Sequence, residues 1–369
     1  MLFRLSRVAV IFCIALLGIF IFSSASWPAR HAPAKQTAPS RSARLPTRTG
    51  ANAAANSTLG FQKILALSHG PSWRSRGLLR AATYSGLEVD IPKQPQWSQE
   101  LIDAFRYMGP LGSLHPKQGA ALAWLAHLDL VKYFIMSDYD TALILEDDVD
   151  WDVNIKEQTV RIAEAVRAYT NVTRTEEAPY GRWWDVLWMG HCAEFVDMGK
   201  SHLSFSDPTR IAKNDYRGWV KEEHVMQIPE QERFVQQALG PICTFGYAIS
   251  RAGAIKILQH AAHGQHEAYD LQLSLGCREG ILKCISVNPE IFHEYAPPAS
   301  SGYVSEVESG NGKAGTVDQE DFDEVMGTTK NIVTSTRCHV MFGRSCLFGE
   351  EDATTNDQIL RGTDHTSNG

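Results

Sequence analysis

The sequence predicts an α/β fold, a sheet with parallel strands flanked by helices, preceded by an N-terminal membrane helix. Three observations lead there. Lys63–Leu67, Arg74–Ser85 and Leu87–Ile91 read in turn as strand, helix and strand. The apolar run Ala142–Leu145 ends abruptly in Glu146, Asp147 and Asp148, as a buried strand does where it meets a ligand site. An uncharged apolar stretch opens the chain and gives way to a segment rich in Pro, Ala, Ser and Thr.

From the N-terminus, Arg4 and Arg7 precede the apolar run Val8–Phe22, and no further charge appears before Arg30. Residues 8–27 are marginally long enough to span a bilayer. Basic residues before them put 1–7 in the cytoplasm, a single-pass type II arrangement. A cleaved signal peptide is the competing reading, with Ser23–Ser26 as the small residues near a cut. Either one delivers the body to the secretory pathway, and the anchored form to the Golgi or ER membrane facing the lumen. Residues 28–60 have no hydrophobic period and read as a flexible stem. Two glycosylation sequons, at Asn56 and Asn171, agree with that compartment. So do six body cysteines, Cys192, Cys243, Cys277, Cys284, Cys338 and Cys346, an even number suited to disulfides. Cys277/Cys284 and Cys338/Cys346 are near neighbours and suggest themselves as pairs; the sequence does not select the pairing.

The body is expected over 61–345. Gly86 is a helix stop for Arg74–Ser85. Gly119–Met136 has apolar residues at helical spacing, Thr141–Leu145 is a buried strand, and Asn154–Tyr169 is a helix. Asp185–Met189 is a strand closed by Gly190. Phe245–Ile249 is a strand running into a helix at Ser250–His260. Ile285–Val287 and Ile291–His293 are short strands. Beyond Val304 the chain reads as loose, and 346–369 as a disordered tail.

The net charge is −7, but of the 35 Lys and Arg, seven fall in 1–60, which holds no acid; 28 basic residues then face 42 acidic ones. An acidic body argues against nucleic-acid binding. Three adjacent carboxylates repel one another, so confining them requires a cation or donors. The bland alternative is a solvated loop or a helix start. No GxxxxGK[ST] and no HExxH is present. Asp148, Asp150 and Asp152 alternate as in an EF-hand loop, but the central Gly is missing. What remains is an oxygen-ligand site able to hold Mn²⁺ or Mg²⁺ against a diphosphate.

Several stretches in order carry a resemblance: Ile64–Leu67 with Arg74 and "AATYSGLEV", "AWLAHLDLV" (123–131), "ALILEDDVDWD" (142–152), "WWDVLWMGHC" (183–192), "CTFGYAISRAGAIKIL" (243–258), "AYDLQLSLGC" (268–277) and "CISVNPEIFHEY" (284–295). Together they resemble glycosyltransferase family 25, which includes bacterial lipopolysaccharide and animal collagen galactosyltransferases; its fungal secretory-pathway members are the most similar. The resemblance spans about 61–345. It implies a GT-A-like (Rossmann-like) sheet that binds a nucleotide sugar. It also implies metal-dependent, inverting transfer of a hexose, with galactose first, from a UDP-sugar to a glycan or glycoprotein acceptor. Trp73 stands where the family usually has an acid, and "SEV" (305–307) where Ser-Asp-Ile is usual. Those departures motivate a rival: a catalytically weak member that binds glycans or proteins. A lumenal phosphohydrolase shares the acids but not the other stretches.

Carried over residue by residue, the resemblance makes Asp148 the metal ligand, with Glu146 and His293 as further ligands. Glu146 is also a ribose contact. Asp147 is the second acid, and Arg74 and Ser68 face the diphosphate. His127 stands near the donor, against the plainer reading of a hydrogen-bonded core histidine. Asp270 is the candidate base, against helix capping. Asp185 is the second choice and starts a strand. His191 and the aromatics Trp183, Trp184 and Trp188 are expected on the acceptor side, or in the core.

Overall fold

The computed structural model describes residues 50–110, 114–218, 220–315 and 322–347. The predicted membrane helix, the stem to residue 49 and the tail from 348 lie outside them.

Eight strands form one sheet: β1 (Lys63–Leu67), β2 (Val89–Asp90), β3 (Thr141–Glu146), β5 (Val186–Gly190), β6 (His202–Ser206), β7 (Glu232–Gln237), β8 (Gly246–Ser250) and β9 (Cys284–Asn288). Their order is β2-β1-β3-β8-β5-β9-β7-β6. Six strands run one way, while β8 and β7 are reversed. The expected parallel strands are present in β2-β1-β3 and β5-β9, and β8 and β7 join them by antiparallel pairing. β8 pairs antiparallel with β3 from Leu145↔Gly246 back to Thr141↔Ser250. It therefore starts where β3 ends and must run the other way. A second sheet pairs β4 (Val149–Trp151) with β10 (Phe292–Glu294), His293 opposite Asp150 and Glu294 opposite Val149.

The helices are α1 (Trp73–Ser85), α2 (Gln99–Arg106), α3 (Gln118–Met136), α4 (Ile155–Tyr169), α5 (Arg251–Ala261), α6 (Tyr269–Arg278), α7 (Glu306–Gly310) and α8 (Thr336–Phe342). They cover both faces of the sheet. Leu143 and Leu145 enter one core with α1 and α4, while Ala142 and Ile144 enter the other with α2, α3, α5 and α6. That is why the run from Ala142 to Leu145 is apolar at every position: alternate side chains meet different helix layers. A capping box at Ser72 starts α1, and Gly86, at φ 60°, ends it as predicted. α3 is the described helix long and apolar enough to cross a membrane, yet Trp124, Leu130, Val131 and Phe134 are fully buried in the core.

Two predicted boundaries move. The stem does not reach residue 60, because Gly50–Ala55 forms a 3-10 turn against α4 with Ala54 and Leu59 fully buried. Thr159 Oγ1 donates to Ala54 O at 2.9 Å, and Tyr180 Oη to Leu59 O at 2.7 Å. At the other end, the expected looseness after Val304 does not hold for 322–347. Asp150 accepts from Ser335 Oγ and from Arg337 N at 3.0 Å, and Asp152 accepts from Thr334 N at 2.9 Å. Cys338–Cys346 closes this segment, which extends the ordered body past 345 to Leu347. Cys192–Cys243 and Cys277–Cys284 complete three disulfides.

Candidate active site

The carboxyl ends of β1 and β3, the chain just past β5, and the N-terminal turn of α6 border a cleft of about 1000 Å³. Ser68, Arg74, His127, Glu146, Asp147, Asp148, Asp270 and His293 all line it. The sheet brings them together from six segments of the chain.

Asp147 is buried and accepts from Arg74 Nε at 3.1 Å; Arg74 also bonds Glu306 through Nη2. Burial raises the Asp147 pKa, opposed by Arg74 and the Ser68 hydroxyl. Ser68 Oγ itself donates to Gly70 O at 3.0 Å and so shapes the loop after β1. Asp148 is half-buried, and its Oδ1 is buried without a hydrogen-bond partner. Desolvation drives its pKa well up, and Glu146, Glu294 and Asp147 push it further. Glu146 Oε1 accepts from Thr244 Oγ1 at 2.7 Å and lies 3.7 Å from His127 Nε2. His127 is buried, stacked on Tyr269 at 4.6 Å and bonded through Nδ1 to Tyr247 Oη at 3.1 Å. It is thus both a bonded core histidine and a brace behind Glu146. Burial holds His293 neutral, with its pKa lowered to about 4, which is the protonation state of a metal ligand.

The residues fit the cation that the resemblance implies. An orphaned carboxylate oxygen amid three more carboxylates is a hard-oxygen donor set in need of positive charge. Among the described residues no three His, Cys, Asp or Glu side chains stand ready as a closed cage. The fit is therefore to an ion held by one or two carboxylates and completed by ligand oxygens.

Asp270 is half-buried in the first turn of α6 and accepts from Cys243 N at 2.7 Å. Cys243 sits at φ 63°, a left-handed conformation that this bond helps hold. Asp185 is a correction. It lies just before the amino end of β5, at the opposite end of the strands from the cleft, where it accepts from Lys256 Nζ at 2.5 Å and Lys283 N at 2.9 Å. It is an anchor for β5 and touches no part of the cleft. His191 is likewise buried away from it, with Nε2 3.1 Å from Val287 O. Trp184 and Trp188 are core residues, and Trp183 is exposed beside Lys283 at that same end of the strands. Trp73 is not among the residues that line the cleft: it packs among Tyr295, Tyr303 and Phe322.

Among the cleft residues that sequence reasoning did not single out are Gln94, Arg217, Thr244, Glu294 and Lys330, while Glu306 is the acid of the "SEV" departure. Glu294 adjoins His293 in the sequence, but only the β4–β10 pairing turns it toward Asp148. Lys330 comes from the stretch read as loose and offered no signal. Beneath the acids, the fully buried Arg337 donates through Nη2 to Asp147 O at 2.9 Å and Arg74 O at 3.1 Å, tying α8 to the loop that carries them.

No family model and no curated protein matches the chain. A solved structure described as "Crystal Structure of A197 from STIV" is similar at 12% identity and TM-score 0.30, covering 66% of this chain and 85% of that one. A likeness at that level carries no argument about function.

Proposed function

We propose that the protein is a glycosyltransferase of the family 25 type. It transfers a hexose, galactose first among the candidates, from a UDP-sugar to a glycan or glycoprotein acceptor, with inversion. It works as a type II protein of the Golgi or ER membrane with its body in the lumen. One observation carries the reading: the buried, unpartnered Asp148 Oδ1 among Glu146, Asp147 and Glu294, in a cleft that also presents Arg74 and Lys330. Acids alone repel a diphosphate, so this pairing of acids and bases makes sense for a metal-bound one.

Mn²⁺ or Mg²⁺ bound there would supply positive charge to the departing nucleoside diphosphate. Asp148 would hold it, with Glu146 or His293 as the second donor and ligand oxygens completing its shell. Arg74 and Lys330 neutralise phosphate oxygens, and Ser68 shapes the loop beside them. Glu146, braced by Thr244 and His127, orients the ribose. Asp270 takes the proton of the acceptor hydroxyl as its oxygen attacks the anomeric carbon; the sugar–phosphate bond breaks on the opposite face and UDP leaves.

The rival is a member with little turnover that binds glycans or proteins. One contact favours it: Glu306 already occupies Arg74, where a phosphate oxygen would go. UDP release from a panel of UDP-sugars decides between them, using the full-length chain in detergent, with and without Mn²⁺, beside Asp148→Ala. Metal-dependent release from one sugar, lost about a hundredfold or more in Asp148→Ala, is the expected result. A folded wild type that neither releases nor binds UDP sinks the transferase reading and leaves the binding module.

A further inference from the structure

Gln94 lies in the loop that follows β2, is 9% exposed, and lines the same cleft as the acids. Its Oε1 is buried without a hydrogen-bond partner. A buried amide oxygen left unpaired is costly, and a native site that keeps one open points to a donor brought by a ligand. The sheet order β2-β1-β3 sets the scale. β2 is two strands from β3, and at about 4.8 Å per strand the loop after β2 stands roughly 10 Å to the side of the acids. That offset suits the far end of a nucleoside diphosphate whose phosphates sit at Asp148. The same cleft is lined by small side chains of α3, Ala120, Ala123 and Ala126, which take up little of its volume.

We infer that Gln94 reads the base of the donor nucleotide, accepting the imide N3–H of a uracil ring at Oε1 and donating from Nε2 to its O4. This rests on the nucleotide-sugar reading above. It names the residue that makes the donor site selective for its base, separate from the acids that hold the metal and the cations that meet the phosphates. An amide offers one acceptor beside one donor, which is the complement of the N3–H and O4 edge.

The test is a binding titration of the full-length protein in detergent with Mn²⁺, using UDP and UDP methylated at N3, a probe that lacks the imide proton. Wild type is expected to bind UDP about tenfold to a hundredfold more tightly than the methylated probe. Gln94→Leu is expected to bind both alike, at the weaker affinity, with its melting temperature checked against wild type. Gln94→Ala answers the same question if the leucine variant does not fold. If a folded variant keeps the preference for UDP, or wild type shows none, Gln94 is not the reader, and the transferase reading stands on its UDP binding. If wild type binds neither nucleotide, both fall together.

Discussion

Asp148 is unstable where it stands unless something cationic joins it. Its Oδ1 has no donor, and Glu146, Glu294 and Asp147 raise the cost of its charge beyond that of burial alone. Asp148→Asn should therefore raise the melting temperature of the metal-free protein by about 2–4 °C, the shift that roughly 1 kcal/mol produces in a body of this size. Mn²⁺ should stabilise wild type and leave the variant unmoved. Differential scanning fluorimetry with and without the ion reads both. A drop in the metal-free variant would mean that Arg74 satisfies Asp148 unaided. A second buried acid permits a prediction in pH. Burial raises Glu194 to about 7, against hydrogen bonds from Phe195 N, Gly240 N and Leu239 N. Its ordinary value is 4.5. A carboxyl raised on folding binds its proton more tightly in the native state. Its contribution is fully present below the unfolded value and is lost as pH rises through 7. Glu194→Gln removes that dependence. The stability of the variant relative to wild type should climb from about pH 4.5 to about pH 7 and level off above that, measured by urea unfolding across the range. A constant difference would show that Glu194 stays charged throughout.

Among the elements, β4 does two jobs with one acidic run. Asp148 faces the cleft, while Asp150 and Asp152 face the other way and fasten residues 334–337. Asp150 is fully buried, bonded to Ser335 and Arg337 N, and electrostatically opposite the buried Arg337 guanidinium. Asp150→Asn should lower stability by about 3 kcal/mol, since it removes the largest of the negative charges that offset the burial of Arg337. UDP affinity should weaken as well, because Arg337 holds the carbonyls of Arg74 and Asp147. A variant that loses stability at unchanged affinity would show that the clasp and the site are independent. The acids of "EDDVDWD" were legible as a cluster at a strand end, and so were the strand and the helices around it. Their periodic apolar residues are buried on predictable faces. Which acids meet solvent and which meet the C-terminal segment was not legible, because that partition depends on β4 pairing with β10, far along the chain. β6 and β7 also gave little signal: HLSFS and ERFVQQ are polar strands near the sheet's edge, with no continuous apolar run to mark them. Asp185 misled for a related reason. An acid at a strand's start and one at its end look alike in sequence, but only the second reaches the cleft.

For the whole molecule, the boundary between stem and body is a question of what is buried. Composition alone puts the change near residue 60, since 28–60 is uniformly rich in small and polar residues. Small residues pack well in tight places, however, and Ala54 and Leu59 are fully buried where the turn Gly50–Ala55 lies on α4. Asn56 Oδ1 caps that turn by accepting from Thr58 N at 2.9 Å and Gly60 N at 2.8 Å. Ser57 O accepts from Glu88 N at 2.8 Å, joining the segment to the residue before β2. Removing residues 1–49 should leave the fold intact. Removing 1–60 should strip two apolar side chains from the core and leave Tyr180 Oη and Glu88 N without their partners, while Thr159 keeps its bonds to Ile155 O and Lys156 O. The loss is about 3–5 kcal/mol from the exposed cavity and the broken hydrogen bonds together. Proteins begun at residue 50 and at residue 61, secreted from the same host and melted side by side, test this directly. The shorter one should melt roughly 10 °C lower or fail to be secreted. Equal melting points would return 50–60 to the stem, and with it the reading that composition first suggested.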